Sequence, residues 1–428
     1  MNVAVIGGGY AGMAAAVTLA ERGILVTVFE AANQLGGRAR RVDWNGAALD
    51  NGLHILIGAY RETLRLVALV NRDAGGALRR LPLDWHIHGR FRLRAAPLPA
   101  PWHLALGLLT AHGAGIGERM AAAAFMRALR NAGFRLAQDI TVSELLRRHR
   151  QGAAVTRHLW NPLCIAALNT PPEIASAQVF LNVLRDSLSA ARADSEIMLA
   201  RVDLSALFPA PAAEYVRSHA GQVLTAHTVD AIAMHDGNFT LRTRGQQLSF
   251  SHVVCALPPQ RLAAAVAGLP QLNAAATLVE RFNYQPIYTV YLQYPRDMAL
   301  PSPMLGMADG LAQWVFDRGA LCGQAGLVAA VISADGPHQN MTQDELAQRI
   351  QAELRQHFGA LPEPEWQRVI AEKRATFSCI AGLQRPAQRT PLENFYLAGD
   401  YTGNEYPATL EAAVRSGVAC ARHILEST

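Results

Sequence analysis

Lysine is almost missing from this chain. Of its 39 basic residues only Lys373 is lysine, and the others are arginine. High-GC coding explains that bias as well as any function does. Cysteine is also scarce. Cys164, Cys255, Cys322, Cys379 and Cys420 are scattered with no C-x-x-C spacing. That argues against a disulfide framework and a zinc site, and for a reducing compartment. No run of 18 or more apolar residues is free of charge or proline, so no membrane-spanning helix is expected. No nucleic-acid-binding module is recognisable, so nucleic acid is not an expected partner despite a net charge of +5. Val3 already opens a strand-like run, so no signal peptide is expected and the cytoplasm is the expected location.

What is present is a soluble composition. Half of the 428 residues are hydrophobic, enough core for two domains. Residues 3–31 read "VAVIGGGYAGMAAAVTLAERGILVTVFEA". Val3 to Ile6 suit a strand, Gly7, Gly9 and Gly12 follow in G-x-G-x-x-G spacing, and residues 13–21 read as a helix. The first glycine permits a tight turn, the second close approach to a pyrophosphate, and the third close helix–strand packing. The pyrophosphate would sit on the helix N-terminus, where free N–H groups and the dipole favour negative charge. A second strand over residues 24–29 ends at Glu30, placed to accept ribose hydroxyls. Strand, glycine turn, helix, strand and acid together predict a dinucleotide site.

Further along, residues 102–133 read as mostly helical, and residues 141–189 as helices interrupted at "NTPPE". "LSALFPAPAAEYVRSHAG" reads as a helix ending at Gly221. "QVLTAHTVDAIAMHDGNFTLRTRGQQLSFSHVVCALPP" reads as short strands with turns at "HDGN" and "RGQQ". "NYQPIYTVYLQYP", "LVAAVIS" and "WQRVIAEKRATF" are further strands. "TQDELAQRIQAELRQHF" is an amphipathic helix with Thr342 as its N-cap. Strands suited to the first sheet occur at the beginning, middle and end. The expected fold is therefore α/β, with a discontinuous Rossmann-like domain (residues 1–62, 202–262 and 388–428). An inserted α+β substrate domain with a helical subdomain takes residues 63–201 and 263–387.

"LGGR" decides which dinucleotide. Gly36 and Gly37 give a backbone free to wrap a ligand, and Arg38 brings a permanent cation to phosphate. "YLAGD" ends a strand at Gly399 and Asp400, an acid suited to ribityl hydroxyls. The helix after Thr409 and Leu410 can turn its N-terminus to a flavin ring. With the terminal "ATLEAAVRSG", these segments resemble the flavin amine oxidase and carotenoid desaturase superfamily, which implies tightly held FAD. The resemblance further implies that Gly52, Leu53 and His54 pass over the flavin, that Val229 meets the adenine, and that Ala256 approaches the pyrophosphate side. A narrower resemblance spans most of the chain. "LDNGLHILIGAYRETLRLV", "LWNPLCIAALNTPPEIASAQVFLNVLRDSL", "ARVDLSALFP" and "EKRATF" are similar to the hydroxysqualene dehydroxylase family of squalene and hopanoid biosynthesis. It implies reductive removal of the hydroxyl of hydroxysqualene to give squalene, with hydride from reduced FAD. Carotenoid-type desaturation and amine oxidation are the alternatives. Amine oxidases of this fold typically place a lysine near the flavin, and the sole Lys373 in "EKRATF" makes that reading the weaker.

For the chemistry, His54 is the first-choice acid, because its unperturbed pKa lies near neutrality. Glu405 is the second, provided that burial keeps it protonated. Tyr406 would face a cationic intermediate with its ring. Trp160, Asn169 and Asp186 read as core or helix-capping residues. A lipophilic isoprenoid substrate implies peripheral contact with the inner face of the cell membrane. Residues 90–111, "RFRLRAAPLPAPWHLALGLLTA", are open to two readings, a docking segment or a buried helix. There is no second Rossmann fingerprint, so an external donor is expected to reduce the flavin.

The protein should purify with non-covalent FAD. Arg38→Ala and Glu30→Ala each remove a charged hydrogen-bond partner worth about 1.5–3 kcal/mol, so both should lower flavin content. Full flavin absorbance retained in both variants would contradict their assignment.

Overall fold

A computed structural model describes residues 1–189 and 191–427. Its first layer is a five-stranded parallel sheet, in the order Gln222–Leu224, Leu25–Phe29, Asn2–Ile6, His252–Cys255, Phe395–Leu397. The sheet thus gathers strands from three distant parts of the sequence. Val3, Ala4 and Val5 are fully buried, as expected for a parallel sheet covered on both faces. Helix Tyr10–Ala20 is buried at every residue, lying between this sheet and the terminal helix Leu410–Glu426. A three-stranded antiparallel meander, Val229–His235, Asn238–Thr243 and Gln246–Phe250, adjoins the sheet. Its turns fall at "HDGN" and "RGQQ", where Asp236 and Arg244 take positive φ beside Gly237 and Gly245.

The second layer is a seven-stranded mixed sheet. Its long strands are Tyr284–Gln293, Leu327–Ser333 and Trp366–Phe377, the last at one edge, and Asp84–Ile87 and Phe91–Arg94 lie at the other. Helix Gln343–Phe358 covers one side. Thr342 and Glu345 form a reciprocal cap at its start, and Leu346, Ile350 and Leu354 face the sheet. Helices Trp102–Leu109, Ile116–Asn131, Asn161–Leu168 and Ala177–Leu184 lie in the helical region. The break at "NTPPE" is visible: the third of these ends with Asn169 in the left-handed region at φ 45°. Two helices carry π-helical turns, Thr156–Trp160 and Arg185–Ser189, a geometry often found at functional sites.

Two details differ from expectation. "LSALFPAPAAEYVRSHAG" forms two helices, Leu204–Leu207 and Pro209–Ser218. Pro209 lacks the N–H that a continuous helix would use, so it opens a new one. The edge strands of residues 84–94 were also not foreseen. They alternate buried and partly exposed residues over only four positions each, too short a pattern to read.

The layers are joined by an ion pair that the sequence did not announce. Asp50 and Arg318 lie 3.1 Å apart with side chains 3% and 5% exposed. Asp50 also accepts the Leu204 N–H, and its carbonyl accepts the Tyr291 hydroxyl. Arg318 further donates to Ala48 and Gln324. Two residues beyond Asp50 the chain enters Gly52, Leu53 and His54, so this network fixes where that segment lies. Asp50→Ala leaves a buried guanidinium uncompensated and should cost about 3–5 kcal/mol, measured as a fall in the denaturation midpoint. A change under about 1 kcal/mol would mean that Arg318 finds other partners.

Candidate active site

The two glycine loops lie against each other. Gly36 N–H donates to the Gly8 carbonyl at 3.0 Å, and Gly9 bridges Gly36. A Cβ on Gly12 would sit 1.9 Å from the Gly7 carbonyl oxygen, so only glycine allows helix Tyr10–Ala20 to begin so close to the strand. Gly9 is the N-cap of that helix and offers no side-chain cap. Beside it a Cβ would meet nothing nearer than the Gly37 Cα at 3.8 Å. An uncapped, buried helix start flanked by bare backbone fits a pyrophosphate. Glu30 accepts the Gly8 N–H at 2.7 Å and the Ala32 N–H at 2.8 Å. Each oxygen keeps a lone pair for ribose hydroxyls.

Arg38 donates to the Asp400 carboxylate at 2.7 Å and to the Ala375 carbonyl at 2.6 Å. Further N–H groups of its fork remain for phosphate. Asp400 is buried at 4% exposure. Gly399 N–H donates to Ser416, and Thr409 caps the terminal helix by accepting the Ala412 N–H. Leu410 turns its side chain into the core at 8% exposure, so only its backbone can meet a ligand. Ala256 N–H is taken by Ile6, and its carbonyl abuts Gly7. Val229 opens the meander. Gly52 is buried, with Leu53 packed against the core. Gly7, Gly9, Gly12, Glu30, Gly36, Gly37, Arg38 and Asp400 offer a cradle whose chemistry fits FAD: a bare helix start for pyrophosphate, two acids for hydroxyl groups, and an arginine.

Beyond Asp400, Arg385 donates to the Tyr406 carbonyl and to that of Asn404, which holds the loop over residues 400–406. That loop and Thr409 form part of the wall of an apolar cavity of about 450 Å³. Trp85, Leu104, Met126, Phe134, Trp160 and Trp314 are among the other lining residues. The wall carries few polar groups. Among the described residues Asp186 is its only carboxylate, and Tyr60, Ser187, Ser195, Tyr406 and Thr409 also belong to the lining, along with Arg127 and Arg130, which are exposed.

The three sequence-chosen catalytic residues fare differently. Tyr406 lines the cavity. Its hydroxyl donates to Asp186 at 2.6 Å, and the Arg415 guanidinium lies 4.7 Å over its ring. One ring face is therefore already occupied, which corrects the expectation of a ring free to meet a cation. His54 lies in a separate small recess with Asp50, Leu199 and Arg318. Its Nδ1 meets the Gly52 carbonyl at 2.8 Å. Burial pushes its pKa down, the Gly52 bond opposes this, and the charge of Arg38 adds to it. A neutral ring donating Nδ1–H to Gly52 has no proton on Nε2, so the acid role moves away from His54. Glu405 is 57% exposed and pairs with Arg185 at 2.8 Å. It is turned to Arg185 outside the cavity lining, so that assignment is also corrected.

Asn169 holds structure, as read: its amide donates to Thr376 and its oxygen accepts the Ala334 N–H. Trp160 is core, and its ring also lines the cavity. Asp186 is the residue that the sequence reading undervalued. Arg185 is its neighbour in sequence, but its other partner, Tyr406, lies 220 positions away and nothing local points to it. Lys373 is exposed on its strand, not in the buried cradle.

Residues 10–425 match the family described as flavin containing amine oxidoreductase. Hydroxysqualene dehydroxylase of Rhodopseudomonas palustris is 28% identical over 450 residues, covering 99% of this chain and 98% of that protein. A zeta-carotene desaturase of Synechocystis is 24% identical over 485 residues, covering 99% and 97%. Among solved structures, a triple mutant of putrescine oxidase superposes with a TM-score of 0.76 at 16% identity, covering 100% and 99%; at that identity it speaks for the fold alone. With the cradle and the full-length match together, the protein is an FAD-dependent oxidoreductase, and the chain belongs to the flavin-containing amine oxidoreductase family.

Proposed function

We propose that the protein removes the hydroxyl of hydroxysqualene to give squalene. The observation that carries this reading is the apolar cavity, walled by tryptophan and aliphatic residues and reaching the loop that follows Asp400. A long isoprenoid alcohol suits such walls, and the full-length similarity to hydroxysqualene dehydroxylase supports the same substrate. The reaction consumes one hydride and one proton. The carbon–oxygen electron pair leaves with oxygen, which takes a proton derived from water and departs as water. Bound FAD, reduced by an external donor, supplies the hydride. The chain's residues align the alcohol, exclude bulk water and receive the charge that develops at the allylic carbon.

The substrate also sets where the protein works. Burial is worth about 0.8 kcal/mol per methylene, so a thirty-carbon chain resides in lipid. Trp102, Leu106 and Leu109 on one helix, and Ile116 and Met120 on the next, are exposed large apolar residues, Ile116 and Trp102 at 71% and 66%. Leu104 and Leu108 of the same first helix point into the cavity wall. Residues 90–111 thus serve both readings: Leu104 and Leu108 line the cavity, Trp102 borders both the cavity and the outside, and Leu106 and Leu109 are bare. Among the described residues no helix is long and apolar enough to cross a membrane. The bare face is a surface suited to resting on a bilayer. Arg119, Arg127 and Arg130 lie nearby in sequence, each able to add about 1 kcal/mol at an anionic surface.

Two measurements test this. Protein whose flavin is reduced and turned over in deuterium oxide, so that the exchangeable flavin N–H carries deuterium, should convert hydroxysqualene to squalene labelled at the central carbon. Unlabelled squalene would exclude direct hydride transfer, and no squalene at all would remove the substrate assignment. In flotation, the protein should rise with anionic liposomes, and Trp102→Glu with Leu106→Glu should leave it in the dense fraction. Failure of the unaltered protein to float would end the membrane proposal.

A further inference from the structure

The wall of the cavity holds one carboxylate, and its surroundings are built around it. Asp186 sits in the π-helical turn Arg185–Ser189, which lets the helix present both Arg185 and Asp186 to neighbouring groups. Arg185 grips Asp186 at 2.6 Å and reaches Glu405 at 2.8 Å. Arg185 also reaches the second Asp186 oxygen at 3.1 Å, and Tyr406 donates its hydroxyl to that same oxygen at 2.6 Å. Behind the Tyr406 ring, Arg415 is held by the buried Glu411 at 2.6 Å. Arg185 is thus shared between two acids, and Arg415 between Glu411 and the Tyr406 ring. Glu405, Arg185, Asp186, Arg415 and Glu411 form a row of three carboxylates and two guanidiniums, and the row keeps one negative charge in excess.

Burial pushes the Asp186 carboxyl up, but hydrogen bonds from Arg185 and Tyr406 outweigh it and its pKa lies below the ordinary aspartate value. Burial and the bond to Asp186 push the Tyr406 hydroxyl up to about 12. The pair is therefore an anion and a fixed hydrogen-bond donor at neutral pH. Neither is an acid ready to give up a proton. In an apolar cavity a single anion attracts positive charge more strongly than it would in water.

We propose that Asp186, oriented by Tyr406 and Arg185, is the cation-recognising group of the cavity. It would provide the counter-charge to a positive centre on a long isoprenoid chain beside the flavin cradle. The inference rests on the isoprenoid reading above and adds to it the place where charge is received. No atom is transferred by Asp186. As the carbon–oxygen bond opens, the carbon becomes positive and the carboxylate faces it until hydride arrives. Tyr406 is a positioning residue in this scheme, because its hydroxyl holds the Asp186 carboxylate at the cavity wall.

Binding, read by the fluorescence of the wall tryptophans on the FAD-loaded protein, tests this without turnover. The probes are squalene and an analogue in which a protonated tertiary amine replaces the central carbon. The unaltered protein should bind the amine about tenfold more tightly than squalene, a preference of about 1.4 kcal/mol. Asp186→Asn should bring the two affinities together while leaving that for squalene within about threefold. Tyr406→Phe, which keeps the ring over Arg415, should reduce the preference partly and lower kcat with little change in KM. An amine preference that survives Asp186→Asn overturns the proposal, as does an unaltered protein that binds both probes equally. If Asp186→Asn fails to fold, an unchanged preference in Tyr406→Phe overturns it instead. Binding of neither probe by the unaltered protein would sink the isoprenoid reading itself, a result distinct from the others.

Discussion

The contact between Arg38 and Asp400 is the constraint on which the rest turns. The two residues stand 362 positions apart, one in the loop after the first two strands and the other at the end of the last. Their ion pair, with Arg38 also bound to Ala375, brings three things to one point: the glycine loops, the last strand of the parallel sheet, and the long strand of the second sheet. A chain that wraps an extended cofactor must close around both ends of it. A side chain that cannot lose its charge, facing a buried acid, closes the ring without requiring the loops to be rigid on their own.

From that closure the cavity follows. Arg385 fixes residues 400–406 through backbone carbonyls, which places Tyr406 at the wall. The helical region then supplies apolar residues around it, and the second sheet supplies Trp85 and Trp314, stacked edge-on at 4.8 Å. The wall is poor in hydrogen-bonding groups, so any charge placed there has little water to share it. Asp186 meets that condition only because Arg185 and Tyr406 occupy its oxygens.

Much of this was legible in sequence where the signal was local. Gly7, Gly9, Gly12 and Glu30 are within 24 residues of each other, and a helix start and a strand end are fixed by neighbours. The meander turns and the Thr342 cap were legible for the same reason. What was illegible depends on distant partners. Asp50 could not be seen to meet Arg318, nor Asp186 to meet Tyr406, because no short-range pattern encodes either pair. His54 shows a subtler limit. Its position after Gly52 was readable, but its tautomer depends on the carbonyl it bonds to and its charge on how deeply it is buried. Glu405 shows the reverse case: it is next to a wall residue in sequence, but side chains of adjacent residues in a loop point different ways.

The scaffold explains how one fold can serve amines and hydrocarbons. The glycine loops, Glu30, Arg38 and Asp400 lie outside the lining of the apolar cavity. The cavity is built from segments inserted between the sheet strands. An amine brings its own charge into such a cavity. A neutral alcohol brings none, and develops one only as its bond to oxygen breaks. A carboxylate that the protein keeps ionised in an apolar wall would favour that transient charge over the neutral ground state. Stabilisation of this kind raises the rate of bond breaking without tightening substrate binding. Arg185, Tyr406 and Arg415 keep Asp186 charged, and the aromatic and aliphatic remainder of the wall can hold the chain.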